Sequence, residues 1–404
     1  MANANVNVDL AVHALRDVSC VETACPQPTL YRDVRPLGKS RHVFVTGATG
    51  LVGGALLREI IERSDAKVTC LVRGTTFGPT ATDRLAAKCA EEGIGRARFD
   101  ARVRVVTGAL DKKRFGLSDN EWSRLTDEAD TIFHLAAKLN YLAPLSALEN
   151  TNVGGTNRIL ELATTGARKD VHFMSSSGVY MSLDAPEFGY LERSVPVERY
   201  DRHVIGYLHS KWHSELAVRR AREAGVPALI YRPSFIGGTL SSGFLPDRDV
   251  TAQFMTACLQ MGAVPEVPFV IDIVPVDVLA AAVANIACRD GHALTDINLC
   301  NPRPSRIADL AEMFPEFNGQ TLTCVPYDTW CAKLRERPMT SAKNLMIWAT
   351  RPTKDAPLGL LRAFTAVKQA KAHHIDMDYA LAGSGVTCPA VDRTMVAAYA
   401  SRLI

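Results

Sequence analysis

From Arg41 onward, short apolar runs alternate with longer segments whose apolar positions recur at helical spacing. The short runs read as buried strands and the longer segments as helices with one apolar face. Regular alternation of the two predicts a parallel sheet covered by helices on both faces. Strands are expected over Val43–Val45, Lys67–Val72, Val103–Thr107, Thr131–Leu135, Val171–Met174 and Ala228–Tyr231, and helices over Asp83–Glu92, Leu145–Ala163 and Gly206–Ala224. Beyond the sixth strand the alternation loosens. Asp249–Met261 reads as a helix, Phe269–Val274 as a strand, Pro275–Ala287 as a helix and Ile297–Leu299 as a strand completing the main sheet. From Pro302 to Ile404 the pattern is mainly helical, and residues 1–40 form an arm with no assignable chemistry.

The first strand runs into Thr46-Gly47-Ala48-Thr49-Gly50-Leu51-Val52-Gly53, after which helical spacing resumes. Glycines suit a turn that bends sharply, approaches a ligand closely and lets a helix lie flat on its strand. The helix start offers unpaired N–H groups and a positive dipole end to a pyrophosphate. A plain tight turn gives the same glycines. The strand-turn-helix context favours a dinucleotide cradle in a Rossmann-type doubly wound domain of residues 41–235 plus 266–301. Residues 236–265 plus 302–404 are then the smaller, mainly helical substrate domain.

Composition narrows the partners. The 404 residues are 47% apolar and 22% charged with a net charge of +3, so neither nucleic acid nor a membrane surface is the expected partner. Ten cysteines are scattered without metal-ligand spacing, and no metal is expected. No apolar window is long enough to span a bilayer and the N-terminus lacks a signal-peptide pattern, so the expected location is the cytoplasm.

Candidate chemistry sits at the strand ends. Arg73 follows the second strand, where an arginine suits a ribose 2′-phosphate and an acidic residue a free 2′-hydroxyl, so the expected cofactor is NADPH. A solvated strand end is the alternative. Arg84 is a possible second contact. Ala136-Ala137-Lys138 ends the fourth strand with small residues that admit a cofactor, and His134 before them reads as a packed core histidine. The fifth strand ends in Ser175-Ser176-Ser177, which either places a hydroxyl near a reacting carbonyl or is a bland turn. Tyr207 and Lys211, one helical turn apart, share a face, and an ammonium beside a phenol lowers its pKa. The loop Ser182–Val204 is expected to border the substrate entrance, and Arg232-Pro233-Ser234 to pass near the nicotinamide. The run Arg219-Arg220-Ala221-Arg222 reads as a solvated helix face or, less simply, as a docking patch. His209 and His213 read as surface or packing residues.

Together these motifs resemble the extended short-chain dehydrogenase/reductases. Cys70-Leu71-Val72-Arg73, Asn152-Val153-Gly154-Gly155-Thr156, Gly206-Tyr207 with Ser210-Lys211-Trp212, and Asp272-Ile273-Val274-Pro275-Val276-Asp277 narrow the resemblance to the thioester reductases that terminate nonribosomal peptide and polyketide synthetases and carboxylic acid reductases. The resemblance implies reduction by NADPH of an acyl thioester, carried on a phosphopantetheine arm, to an aldehyde and in some members to an alcohol. It implies that Tyr207 protonates the oxyanion, that Lys211 holds the nicotinamide ribose, and that Ser176, or failing it Ser177, binds the substrate oxygen. Asn152 joins the implied cofactor contacts. Gly108-Ala109-Leu110 departs from the family's Gly-Asp-Leu at the adenine site. No adenylation domain or carrier motif occurs in the sequence, so the acyl group is expected in trans, on a carrier protein or coenzyme A. A nucleotide-sugar epimerase, a hydroxysteroid dehydrogenase and a non-catalytic NADP sensor are the alternatives, the last disfavoured by the presence of both Tyr207 and Lys211.

Overall fold

Alternation within the strands decides which side chains face which helix layer. In β1 (His42–Thr46), Val43 and Val45 point to one face and Phe44 to the other, as the two-residue repeat of a strand requires. The computed structural model describes residues 34–182, 203, 205–244, 246, 249–267, 270–292, 295–316, 321–336 and 375–403. The arm before residue 34, nearly all of the loop expected at Ser182–Val204 and part of the helical tail lie outside them.

The main sheet adds β2 (Lys67–Val72), β3 (Val103–Thr107), β4 (Thr131–His134), β5 (Asp170–Met174), β6 (Ala228–Pro233) and β7 (Asp296–Leu299). Its order is β3-β2-β1-β4-β5-β6-β7, every pairing parallel. The order reverses between β1 and β4, which opens a crevice at their C-terminal ends. On one face Val43, Val45, Val68, Cys70 and Phe133 pack under α1 (Leu51–Arg63) and α2 (Ala81–Glu91). On the other, Phe44, Ile132, Val171 and Ile230 pack under α3 (Asp119–Glu128), α4 (Glu149–Thr164) and α5 (Gly206–Glu223). Ser118 and Glu121 close a reciprocal capping box on α3, satisfying two end N–H groups. Inside α4, a Cβ on Gly155 would lie 2.9 Å from Leu110 Cβ, so close packing explains that glycine.

A third core gathers α6 (Val250–Met261), α8 (Tyr327–Glu336) and α10 (Arg393–Leu403) around Met255, Cys258, Trp330, Val396 and Tyr399. Trp330 Nε1 donates to Ala263 O at 3.2 Å. The strand expected over Phe269–Val274 is two short pieces, Val270–Ile271 and Ile273–Pro275, which pair with Ser305–Arg306 and Phe235–Gly237. Asp272 breaks the run: its carboxylate accepts Asn301 N at 2.5 Å instead of leaving the backbone to one ladder. The tail divides between two cores. Met377, Ala380 and Leu381 of α9 (Ile375–Leu381) pack into the first core with α7 (Val276–Ala287), although they fall in the stretch 302–404 expected to form the substrate domain. No described helix is long and apolar enough to cross a membrane.

Candidate active site

The glycine turn occupies the crevice where the sheet order reverses. Gly47 has φ 83°, and a Cβ there would come within 2.8 Å of Ala136 N. A Cβ on Gly53 would lie 2.0 Å from Gly47 O. One glycine makes the turn and the other brings α1 against it, which is the cradle a dinucleotide needs. Gly47, Gly50, Leu51, Val52 and Gly53 line a cleft of about 290 Å³ that continues to Ala137, Ser176, Tyr207, Lys211, Pro233 and Ser234. Thr49 is exposed beside it but does not line it.

Thr46 serves a different purpose from the expected cofactor contact. Its buried hydroxyl accepts Ala136 N at 3.3 Å and lies 2.8 Å from His134 Nδ1, whose Nε2 is 3.2 Å from Thr156 Oγ1. Thr156 donates to Asn152 O at 2.8 Å, so His134 must donate from Nε2 and accept from Thr46 at Nδ1. Burial pushes the His134 pKa down to about 3, consistent with a neutral packed ring. The Thr46 side chain is therefore committed to the interior.

A second cavity of about 500 Å³, where the adenosine end of a dinucleotide is expected, is lined by Arg73, Thr75, Gly108, Ala109, Asp111 and Lys112 among others. Arg84, on α2, donates to the Arg73 carbonyl, while its Nε is buried without a partner. Arg73 and Lys112 stand exposed at the same edge. An orphaned guanidinium N–H and two further cations fit an anionic phosphate ester. Lys112 was not foreseen. It reaches the cavity because the loop folds back through Arg114 and Phe115, whose φ values are 47° and 60°, so that Ala109 N donates to Phe115 O at 2.9 Å.

At the reactive end, α5 presents Tyr207 and Lys211 on one face. Lys211 Nζ donates to Met174 O at 2.6 Å and lies 5.0 Å from the Phe173 ring centroid. Burial pushes its pKa down to about 8, against the opposing pull of Glu215. Tyr207 packs edge-on against Tyr141 at 5.3 Å, and burial pushes its pKa up to about 12. The expected lowering by Lys211 does not occur in this arrangement because the ammonium is turned toward a main-chain carbonyl. Ser176 Oγ accepts Gly178 N at 3.1 Å and lines the cleft. Ser177 lines it too but bonds the Cys300 thiol.

A family model described as male sterility protein matches residues 45–283. The terminal R domain from the myxalamid PKS-NRPS biosynthetic pathway superimposes with a TM-score of 0.78 at 27% identity, over 92% of this chain and 95% of that one. The chain belongs to the thioester reductase family of the extended short-chain dehydrogenase/reductases. Its curated relatives are longer. The L-2-aminoadipate reductase large subunit of Eremothecium gossypii is 31% identical over 72% of this chain and 22% of the relative. The nonribosomal peptide synthetase asaC of Aspergillus flavus is 33% identical over 71% of this chain and 29% of the relative. The chain thus spans less than a third of either.

As a thioester reductase it is a nicotinamide-dependent enzyme, and three further residues expected to touch the cofactor are turned elsewhere. Asn152 is a brace: Oδ1 accepts Lys138 N at 2.7 Å, and Nδ2 donates to Ser210 Oγ at 2.8 Å. Ser210 in turn donates to Tyr207 O at 2.7 Å, which ties the β4 end to the helix bearing the tyrosine. Lys138 itself is exposed and donates to Ala147 O at 3.2 Å. Arg232 is buried against Glu215, with Nε–Oε2 at 3.0 Å, and does not line the cleft, whereas Pro233 and Ser234 do. Ser234 Oγ lies 2.7 Å from Asp272 Oδ1, a carboxyl that burial pushes up to about 6. The basic run on α5 is solvated only in part: Arg220 is exposed, whereas Arg219 pairs with Glu215 and Asp296, and Arg222 Nη1 with Asp296 Oδ1 at 2.8 Å. His209 stacks on His213 at 4.7 Å beside Trp212, a packing role. Among the described residues no cluster of His, Cys, Asp and Glu has the makings of a metal site.

Proposed function

We propose that this chain is an NADPH-dependent thioester reductase that releases an aldehyde from an acyl group delivered on the phosphopantetheine arm of a carrier protein or coenzyme A. The observation that carries the reading is that Ser176, Tyr207 and Lys211 line the same cleft as the glycine turn. The turn residues, Ala137, Pro233 and Ser234 would hold the dinucleotide, with Lys211 at its nicotinamide ribose. Arg73, Arg84 and Lys112 favour a 2′-phosphate over a free hydroxyl. When bound, the cofactor would supply a hydride to the thioester carbonyl carbon; the hemithioacetal so formed then breaks its C–S bond, leaving the aldehyde and the free pantetheine thiol, with the hydroxyl proton passing to the departing sulfur.

The protein's own part is to bind and polarise the carbonyl oxygen. Ser176 Oγ accepts from a main-chain N–H, which leaves its hydrogen to donate to substrate. Tyr207 donates the second hydrogen bond and passes its proton to that oxygen as negative charge develops, which preorganised donors favour most in a buried site. Leu139, Met181, Phe235, Ile236 and Val250 supply an apolar wall suited to an acyl chain. The test is to mix the purified chain with acyl-pantetheine, acyl-CoA and acyl-carrier thioesters and either NADPH or NADH. NADPH loss accompanied by a trapped aldehyde is expected, and no loss with any thioester overturns the reading.

A further inference from the structure

Helix α5 carries a third residue on the face that bears Tyr207 and Lys211. Glu215 lies one turn beyond Lys211 and is wholly buried. Its carboxylate accepts Ser175 Oγ at 2.7 Å, Arg232 Nε at 3.0 Å and Arg219 Nε at 3.3 Å. Asp296, on β7, takes Arg222 Nη1 at 2.8 Å, Arg232 Nη2 at 3.2 Å and Arg219. Three guanidiniums thus face two carboxylates, and the arginines alone do not account for where Glu215 sits.

Its position is informative because consecutive turns of α5 hold consecutive residues of one strand end. Lys211 binds the carbonyl of Met174 and Glu215 binds the hydroxyl of Ser175. The next residue is Ser176, the expected donor to substrate. Around Lys211 stand Glu215 on its own helix, the neutral His134 on β4, and the Phe173 ring and Met174 carbonyl on β5. Glu215 is the anion in that set. A buried ammonium is costly unless a negative charge or hydrogen bonds compensate it.

We infer that Glu215 is a positioning residue for the reaction: it keeps Lys211 cationic and holds the Ser175–Ser176 strand end in register with Tyr207. Burial pushes the Lys211 pKa down and Glu215 pulls it back up, the direction the inference requires. The inference rests on the proposed reading in that Lys211 acts as a cation toward the cofactor.

The test measures dinucleotide affinity by calorimetry from pH 6 to 10, without thioester, beside the pH profile of kcat/KM. Wild-type affinity should weaken as pH rises through about 8, where Lys211 loses its proton. In E215Q that limb should move down by about one pH unit, and kcat should fall more than KM rises. S175A removes the strand anchor and keeps the charge, so its limb should stay while kcat falls about tenfold. K211R stays charged throughout, so the limb should vanish. A wild-type limb in E215Q, or a surviving limb in K211R, overturns the inference. Should E215Q fail to fold, K211R still decides whose limb it is, and E215D should keep the limb while lowering kcat. A shifted binding limb together with no reduction of any thioester by the wild type would sink the proposed function and leave the role of Glu215 standing.

Discussion

The two ends of the cofactor cleft handle charge in opposite ways. At the adenosine end Arg73 and Lys112 are exposed, and Arg84 keeps a buried N–H without a partner. That end carries a surplus of cation, offset in part by Asp111, which under the proposed reading an anionic phosphate would meet. At the reactive end Glu215, Arg222 and Arg232 are buried, Asp296 and Arg219 are half-buried, the five pair with one another, and Lys211 is bonded to a carbonyl. One end therefore stores affinity in unmet charge, and the other stores geometry in charge already met. Substitutions at the first should change which cofactor binds. At the second they should change rate, stability or the pH dependence of binding.

The largest expected effect lies at the reactive end. Y207F should lower kcat by about 10²–10⁴-fold while leaving dinucleotide affinity nearly intact, read by steady-state kinetics and calorimetry. Retained activity would remove Tyr207 from the mechanism. R232Q comes next, because removing one partner of a buried pair leaves the other charge uncompensated, at a cost of about 3–5 kcal/mol. Urea unfolding should show that loss while the affinity of the folded fraction for NADPH stays unchanged. A specific loss of affinity would return Arg232 to the cofactor site.

At the adenosine end R73A should weaken NADPH binding by about 10–100-fold, the value of a hydrogen bond to a charged group, with little change for NADH. Equal losses for the two would show that the surplus charge does not select the 2′-phosphate. The smallest effect is T80A. Thr80 and Asp83 form a reciprocal cap at the start of α2, the helix that carries Arg84, and losing it should cost about 1 kcal/mol in unfolding measurements.

What the sequence disclosed follows the range of the interactions involved. The Gly47 turn and the Tyr207–Lys211 spacing are local geometry, so the crevice and its reactive pair were legible. The β1 residues Val43, Phe44 and Val45 were legible as a strand because a sheet covered on both faces needs an unbroken apolar run. The partners were hidden. Arg219 and Arg222 look like a solvated helix face until Asp296, more than seventy residues on, is brought beside them by β7. Arg232 follows a strand that ends at the cofactor, yet its guanidinium turns back to Glu215 on the covering helix. Asn152 sits in a family motif, but only the fold reveals that it joins Lys138 to Ser210. Lys112 depends on a left-handed loop at Arg114 and Phe115, where neither residue type signals that conformation. The break at Asp272 lies within an otherwise apolar run, and only its contacts with Asn301 and Ser234 mark it.

The start of α5 bears on any attempt to redesign this enzyme. A Cβ on Gly206 would lie 2.5 Å from Ala143 O and 2.6 Å from Leu145 N, both main-chain atoms that cannot swing aside. Any side chain there must push the helix, and Tyr207 is its very next residue. A library meant to broaden acyl scope can vary the exposed Leu139, and Met181 and Phe235 within the limits of their packing on the third core, but position 206 should be left as glycine in every member.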